Sequence, residues 1–246
     1  METPQHEPQE KIDFFLVSAH ELRTSLSAMK WMFQMLLDGD FGSLNETQSA
    51  MLKQARTANE RMIQLVNDTM IVINTEGSSI TYQSLPVSLS SLTEESIKDF
   101  TSEAASKGMH LRYTPPPSPV IVIGDPDKLR IALHNLLENA IKYGNSDTDI
   151  TLSLTIATTN AVLTVADRGI VIPTDEQHKI FEKFFRASNT KETYAGVGLG
   201  LYATKHIIER QGGTLAFTRT PETGPTFILS LPIGYSLCQT RLCVLL

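Results

Sequence analysis

The chain has 246 residues, room for one large domain or two modest ones, and enough to bury a core without disulfide staples. It is 41% hydrophobic and 20% charged, with 21 Lys and Arg against 27 Asp and Glu for a net charge of -6. That balance excludes a disordered chain and speaks against nucleic acid as a partner, because phosphate-backbone affinity rests on an excess of cations. The two cysteines, Cys238 and Cys243, lie five apart in an apolar tail, so neither a disulfide framework nor a metal quartet is expected. No apolar run reaches bilayer length, and METPQHEPQE lacks the basic start and apolar middle of a signal peptide.

Residues 1–10 are expected to be disordered and 11–75 to form the first domain. From Asp13 to about Leu37, Phe15, Leu22, Met29 and Leu36 repeat every seven residues, with Ala19, Leu26 and Phe33 between them, which is a coiled-coil type seam. Asp38 to Asn45 is turn chemistry, with Asn45 as the cap of a second helix. The seam then resumes through Met51, Ala55, Ala58, Met62, Leu65, Thr69 and Val72. Two long helices on a short loop lie antiparallel, yet a lone hairpin leaves half of each stripe bare. The expectation is a homodimer in which two hairpins close a four-helix bundle.

Residues 76–84 read as a linker, opened by the helix breaker Glu76-Gly-Ser-Ser, and residues 85–234 as a second domain of short strands and helices. Strands are expected at 111–114, 120–123, 150–156, 161–166, 214–219 and 227–231, where Val, Ile, Thr and Phe concentrate. Helices are expected at 92–107, at 126–143 with Asp125 as cap and Pro126 in the first turn, and at 199–211 with Gly212-Gly213 as the stop. Consecutive strands favour a mixed two-layer α/β sandwich, so the whole is an α+β, multidomain chain. Residues 235–246 form a tail to which no role is assigned.

Five clusters carry chemistry. In Ser18-Ala-His20-Glu21-Leu-Arg23-Thr24-Ser25, His20 lies just off the seam, with Glu21 able to orient or deprotonate its ring. A neutral imidazole is a competent nucleophile toward phosphorus, although a surface histidine is the plain alternative. Asn135, Asn139 and Lys142 fall at i, i+4 and i+7 on one helix face, while Leu133, Leu136, Leu137, Ala140 and Ile141 are free to pack. An amide oxygen suits Mg²⁺ when phosphates bring the charge, and lysine adds a point charge for a polyphosphate; an ordinary polar helix face is the alternative.

Asp167-Arg-Gly169 follows a strand, where a carboxylate can accept from an exocyclic amine while glycine admits a flat base. Gly196-Val-Gly198-Leu199-Gly200 runs into a helix, the usual make-up of a phosphate cradle. Between them, residues 174–195 read as a lid carrying Phe181, Phe184, Phe185 and Arg186. Core packing is the expectation for at least two of those phenylalanines.

In this order and spacing the clusters resemble the catalytic core of bacterial sensor histidine kinases over about Asp13 to Ile233. His20 to Leu26 resembles the H box, Asn135 to Tyr143 the N box, Asp167 to Pro173 the first G box, Phe181 to Arg186 the F box, and Gly196 to Leu201 the second G box. The resemblance implies a phosphoacceptor His20, with Glu21 as its acid-base partner and Thr24 serving dephosphorylation of the partner. It implies Mg²⁺ on Asn139, and ATP phosphate contacts from Asn135, Lys142 and Arg186. Tyr143 would line the site, Asp167 would read the adenine, and Gly169, Gly196, Gly198, Leu199 and Gly200 would wrap the nucleotide. It also implies an aspartate on a response regulator as the final acceptor, and a cytoplasmic location, either as a soluble kinase or as the cytoplasmic portion of a larger sensor.

Two positions depart from the family. Ser25 stands where proline is usual, so the helix keeps an N–H and is expected to stay straighter. Val171 stands where a second glycine is usual. If that position requires a positive φ or close contact with the nucleotide, a β-branched residue there costs about 1 to 3 kcal/mol, and the alternative function is a phosphatase or scaffold with impaired ATP binding.

Overall fold

The structure, a computed structural model, describes residues 7–76, 82–191, 193–194, 196–220 and 223–234. Within the two long helices the side chains of 7–17, 20, 64, 67–68 and 71–76 fall outside that description. The chain divides into two compact units: residues 1–80 with 182–186 and 190–200, and residues 81–181 with 187–189 and 201–246.

The first unit is built on α1 (Glu7–Asp38) and α2 (Glu46–Glu76). Helix α1 begins six residues ahead of Asp13, so 7–10, expected to be disordered, continue the helix. It runs unbroken past Ser25, as the retained N–H allows. Gly39 ends it in the left-handed region at φ 85°, a backbone conformation that glycine adopts without a Cβ penalty. Asn45 and Gln48 exchange side-chain bonds with each other's backbone N–H, Asn45 Oδ1 accepting at 2.8 Å and Gln48 Oε1 at 3.0 Å, a reciprocal cap that starts α2.

Arg56 Nη1 reaches Gln34 Oε1 at 3.0 Å and Asn59 Nδ2 reaches the Leu26 carbonyl at 2.9 Å. Numbers fall on α2 as they rise on α1, so the hairpin is antiparallel. The expected seam divides in two. Leu26 is buried and Phe33, Leu36 and Ala55 are partly covered, whereas Leu22, Met29, Met51, Met62 and Leu65 are exposed. Phe15 and Val72 lie among the side chains not described.

The second unit is an α/β sandwich. Strands β1 (Leu85–Ser88) and β3 (Ile121–Gly124) form an antiparallel pair. Strands β2 (His110–Thr114), β4 (Asp149–Ala157), β5 (Asn160–Ala166), β6 (Thr214–Thr220) and β7 (Gly224–Pro232) form a mixed sheet of order β2-β4-β5-β7-β6, parallel only between β2 and β4. Burial alternates along β4 and β5, as in a sheet with one face on a core and one toward water.

The core is Ile150, Leu152, Leu154, Leu163, Val165 and Leu229 from the strands, with Leu89 and Leu92 of α3 (Leu89–Ser106). Leu133, Leu136, Leu137 and Ile141 of α4 (Pro126–Tyr143) and Ile207 and Ile208 of α5 (Gly200–Arg210) complete it. Helix α4 has the expected bounds, 126–143, and Asp125 Oδ1 accepts from Asp127 and Lys128 at 3.1 Å each. Strand β1 was absent from the sequence reading, because Pro86 and a four-residue length give little strand signal. No helix among the described residues is long and apolar enough to cross a membrane.

Candidate functional site

The site in the second unit forms where β5 ends and α4 stops. Asp167 follows β5 directly and is only 4% exposed. Its backbone N–H donates to the Pro225 carbonyl at 3.1 Å, and Ile170 N–H donates to the Tyr143 carbonyl at 3.0 Å, so the first glycine segment is stitched to the C-terminal end of α4. Gly144 and Gly169 complete the join as an antiparallel bridge. A Cβ at Gly169 would stand 2.3 Å from the Tyr143 carbonyl oxygen and 2.4 Å from Asp167 Oδ1, so only glycine fits.

Burial pushes the Asp167 carboxyl up to about 7, opposed by a bond from the Gly169 N–H. A carboxyl so placed accepts a hydrogen bond from a neutral donor more readily than it bears an uncompensated charge in the apo protein.

Helix α4 presents the next group. Leu133, Leu136, Leu137, Ala140 and Ile141 are all buried, as their spacing predicts. Asn139 and Lys142 are half-buried, with Lys142 Nζ 5.2 Å from the centre of the Tyr143 ring. Asn135 is turned inward: it is buried, and its Nδ2 donates to the Thr204 hydroxyl on α5 at 3.2 Å. Its placement is that of a cross-link between two helices, whereas Asn139 and Lys142 keep the open side.

The remaining residues lie in the other unit. Gly196 and Gly198 take positive φ of 138° and 78°, and a Cβ at Gly198 would sit 2.3 Å from the Phe185 carbonyl oxygen. Phe184 N–H donates to the Gly198 carbonyl at 3.0 Å. The second glycine segment thus lies against 184–185, with Leu199 buried and Gly200 opening α5. Phe184 carries φ 62° and is 65% exposed, a conformation that costs a bulky residue about 1 kcal/mol or more.

Phe181 and Phe185 are only partly covered, so the expectation that at least two of the three phenylalanines are core does not hold. In the second unit, Phe181 instead lies under Lys205, whose Nζ is 5.5 Å from the ring centre. Arg186 Nη2 donates to the carbonyls of Thr190 at 3.1 Å and Lys191 at 2.9 Å, and to that of Tyr194, gathering its own loop. On α1, Glu21 and Thr24 are exposed one turn apart, while the His20 side chain is among those not described.

Val171 is 45% exposed, and it is not among the residues with positive φ. The strain anticipated at that position does not arise, since an extended or right-handed backbone accepts a β-branched residue.

Two family profiles match. Residues 10–72 match the "His Kinase A (phospho-acceptor) domain", and residues 124–235 match the "Histidine kinase-, DNA gyrase B-, and HSP90-like ATPase". The chain belongs to the sensor histidine kinase family. Over 90% of its length this kinase core is 31% identical to "Circadian input-output histidine kinase CikA" of Synechococcus elongatus, and it covers 30% of that protein. Over 92% it is 29% identical to "Signal transduction histidine-protein kinase BaeS" of Escherichia coli, of which it covers 47%. It spans about half or less of the length of these relatives.

Among solved structures, the fold is that of full-length ShkA in complex with AMPPNP, with TM-score 0.67 at 22% identity, covering 90% of this chain and 46% of that one. It is also similar to the mycobacterial sensor histidine kinase MprB, with TM-score 0.53 at 28% identity, covering 61% of this chain and 97% of that one.

Several positioning residues of this kinase core escaped the sequence reading. Thr204 and Asn59 gave no local signal. Gly224 did sit in turn chemistry, and a Cβ there would lie 2.3 Å from the Asp167 carbonyl oxygen.

Proposed function

We propose that this chain autophosphorylates His20 from ATP and passes the phosphoryl group to an aspartate of a response regulator receiver domain. The observation that carries the reading is Asp167, a buried carboxyl held between two closely packed backbone segments and suited to an exocyclic amine. Asp167 with Gly169 would read the base, Tyr143 would line the site, and Lys142 with Arg186 would meet phosphates. Asn135, whose Nδ2 donates to Thr204, would meet them directly or through the metal. Gly196, Gly198, Leu199 and Gly200 supply backbone N–H groups at the start of α5.

The donors present fit Mg²⁺ delivered with the nucleotide. The described residues form no cluster of three or more His, Cys, Asp or Glu that could cage an ion alone, and Asn139 offers a neutral, partly exposed amide oxygen. When bound there, Mg²⁺ neutralises phosphate charge. In transfer, the unprotonated ring nitrogen of His20 attacks the γ-phosphorus as the bond to the β,γ-bridging oxygen breaks and ADP leaves. Glu21 takes the proton from the other nitrogen. Thr24 would orient a water for the separate dephosphorylation of the regulator, in which that water attacks the aspartyl phosphorus, the carboxylate leaves and inorganic phosphate is released.

The domain plan follows: 11–75 for phosphoacceptance and dimerisation, 76–84 as linker, 85–234 for nucleotide. The exposed stripe of Leu22, Met29, Met51, Met62 and Leu65 supports a homodimer closed by two hairpins. A cytoplasmic location fits the ATP requirement. Of the two grounds on which Val171 would impair ATP binding, strain from a positive φ does not apply, since Val171 carries none.

Incubation with γ-labelled ATP should give an acid-labile, alkali-stable label that is lost in His20→Gln. Label retained by that variant refutes the assignment. Light scattering at micromolar concentration should return a dimeric mass.

A further inference from the structure

Resting on that reading, we propose that Asn145 is a positioning residue that sets base specificity: its side-chain amide holds the Arg168–Gly169 peptide plane, and through that plane the Asp167 carboxyl that reads the exocyclic amine. Asn145 Nδ2 donates to the Arg168 carbonyl at 2.5 Å. A carbonyl can only accept, so the atom of Asn145 that faces it is the amide nitrogen. All of these residues belong to one compact unit.

The placement follows from the end of α4. Gly144 and Gly169 pair as an antiparallel bridge, which brings Asn145, the next residue, alongside Arg168. Asn145 is itself braced, since the Thr148 hydroxyl donates to its carbonyl at 2.7 Å and the Thr148 carbonyl accepts the His110 N–H of β2 at 3.3 Å. In a trans peptide the C=O and N–H point in opposite directions, so a donor that fixes the Arg168 carbonyl on one side aims the Gly169 N–H on the other. That N–H is the one bonded to the Asp167 carboxyl.

The plane needs such a hold. Only glycine fits at 169, and glycine accepts either sign of φ, so local sterics restrain this plane less than one followed by a Cβ. When the plane turns, the N–H leaves the carboxyl and the Asp167 side chain is released to other rotamers. The loss falls on the amine contact, because in the proposed reading this carboxyl meets the base while other groups meet the phosphates.

The test compares two nucleotides that differ at that amine: ATP, and purine riboside triphosphate, which carries hydrogen in its place. Calorimetric titration with Mg²⁺ on the full chain gives both dissociation constants, beside the melting temperature of the nucleotide-free protein. Wild type should prefer ATP by about tenfold or more. In Asn145→Ala the affinity for ATP should fall about three- to tenfold, the contribution of one ordinary hydrogen bond, while affinity for the amine-free nucleotide stays as in wild type. Asn145→Asp keeps the shape and replaces the donor with an acceptor that the Arg168 carbonyl repels, so the preference for ATP should shrink at least as far. Its added charge acts on both triphosphates alike and cancels in the ratio.

An unchanged ratio in Asn145→Asp overturns the proposal. Equal loss of both nucleotides overturns it too, since that is what a role in general stability produces, and so does early melting of both variants. If Asn145→Ala alone melts early, Asn145→Asp decides. Equal wild-type affinity for the two triphosphates would mean that Asp167 does not read the amine, and the reading beneath this inference fails with it. A wild-type preference for ATP that neither variant alters defeats the inference alone.

Discussion

Asn135 of α4 donates to the hydroxyl of Thr204 on α5 at 3.2 Å, and both side chains are buried. The bond joins the helix that carries Asn139 and Lys142 to the helix that the second glycine segment opens. Thr204→Val keeps the volume and removes the acceptor, so it should lower stability by about 1 to 2 kcal/mol. Denaturant unfolding reads that loss, and nucleotide affinity should fall with it. Equal midpoints for the variant and wild type would show that the bond contributes nothing net.

Gly169 tests the join between the glycine segment and α4. A methyl group there meets the Tyr143 carbonyl and the Asp167 carboxyl, both closer than non-bonded atoms approach. Gly169→Ala should therefore cost about 1 to 3 kcal/mol and abolish measurable nucleotide binding. Arg168→Ala, at the neighbouring exposed position, should do neither. Calorimetric titration of both variants decides it, and retained affinity in Gly169→Ala would show that the backbone yields.

Much of the fold was legible because its signals are local. Asn45 with Gln48, Asp125 with Pro126, and Gly39 each cap or stop a helix through bonds within a few residues. The seven-residue seam announced the hairpin, and alternating Val, Ile and Thr announced most strands. What stayed hidden depends on neighbours distant in sequence. The sequence did not show that the Asn135 amide Nδ2 has a partner in Thr204, 69 residues away. Core packing is the sequence expectation for at least two of Phe181, Phe184 and Phe185 because aromatic clusters usually pack, yet the chain turns at Phe184 with a positive φ, Phe184 is exposed and the other two are only partly covered. Val171 read as strained only by comparison with a glycine whose backbone angle the sequence does not state.

Asp167 makes the chain respond to pH in two opposite senses. Its carboxyl titrates at about 7 in the folded state against 3.8 for an unperturbed group. Between those values the folded form holds a proton that the unfolded form has released, so stability falls as pH rises from about 4 to 7 and is level above. Asp167→Asn removes this loss, and its advantage over wild type should grow across that window to a few kcal/mol at most, since a tenfold change in proton affinity is worth about 1.4 kcal/mol. Nucleotide binding should run the other way. The ionised carboxylate is the stronger acceptor for an amine, so affinity should rise with pH up to about tenfold per pH unit below 7, with proton release. Calorimetry in two buffers of different ionisation enthalpy measures that release, and a pH-independent affinity would remove Asp167 from the site.

Asn59 lies in the hairpin interior at 2% exposure, with Nδ2 bonded to the Leu26 carbonyl and Oδ1 buried without a partner. A buried amide with one bond made and one missing weakens a helical seam but fixes its register, because any slide of α2 along α1 breaks the bond that exists. Asn59→Leu should therefore raise the melting temperature, by a gain of about 1 kcal/mol, while loosening the alignment of α2 with the turns below His20. Disulfide cross-linking of a cysteine pair at Gln34 and Arg56, facing positions now joined by a 3.0 Å bond, reports the alignment. Wild type should cross-link in one register, and Asn59→Leu should cross-link more slowly despite its higher melting point. A lower melting temperature in Asn59→Leu would mean that the single bond to Leu26 outweighs the unpaired oxygen.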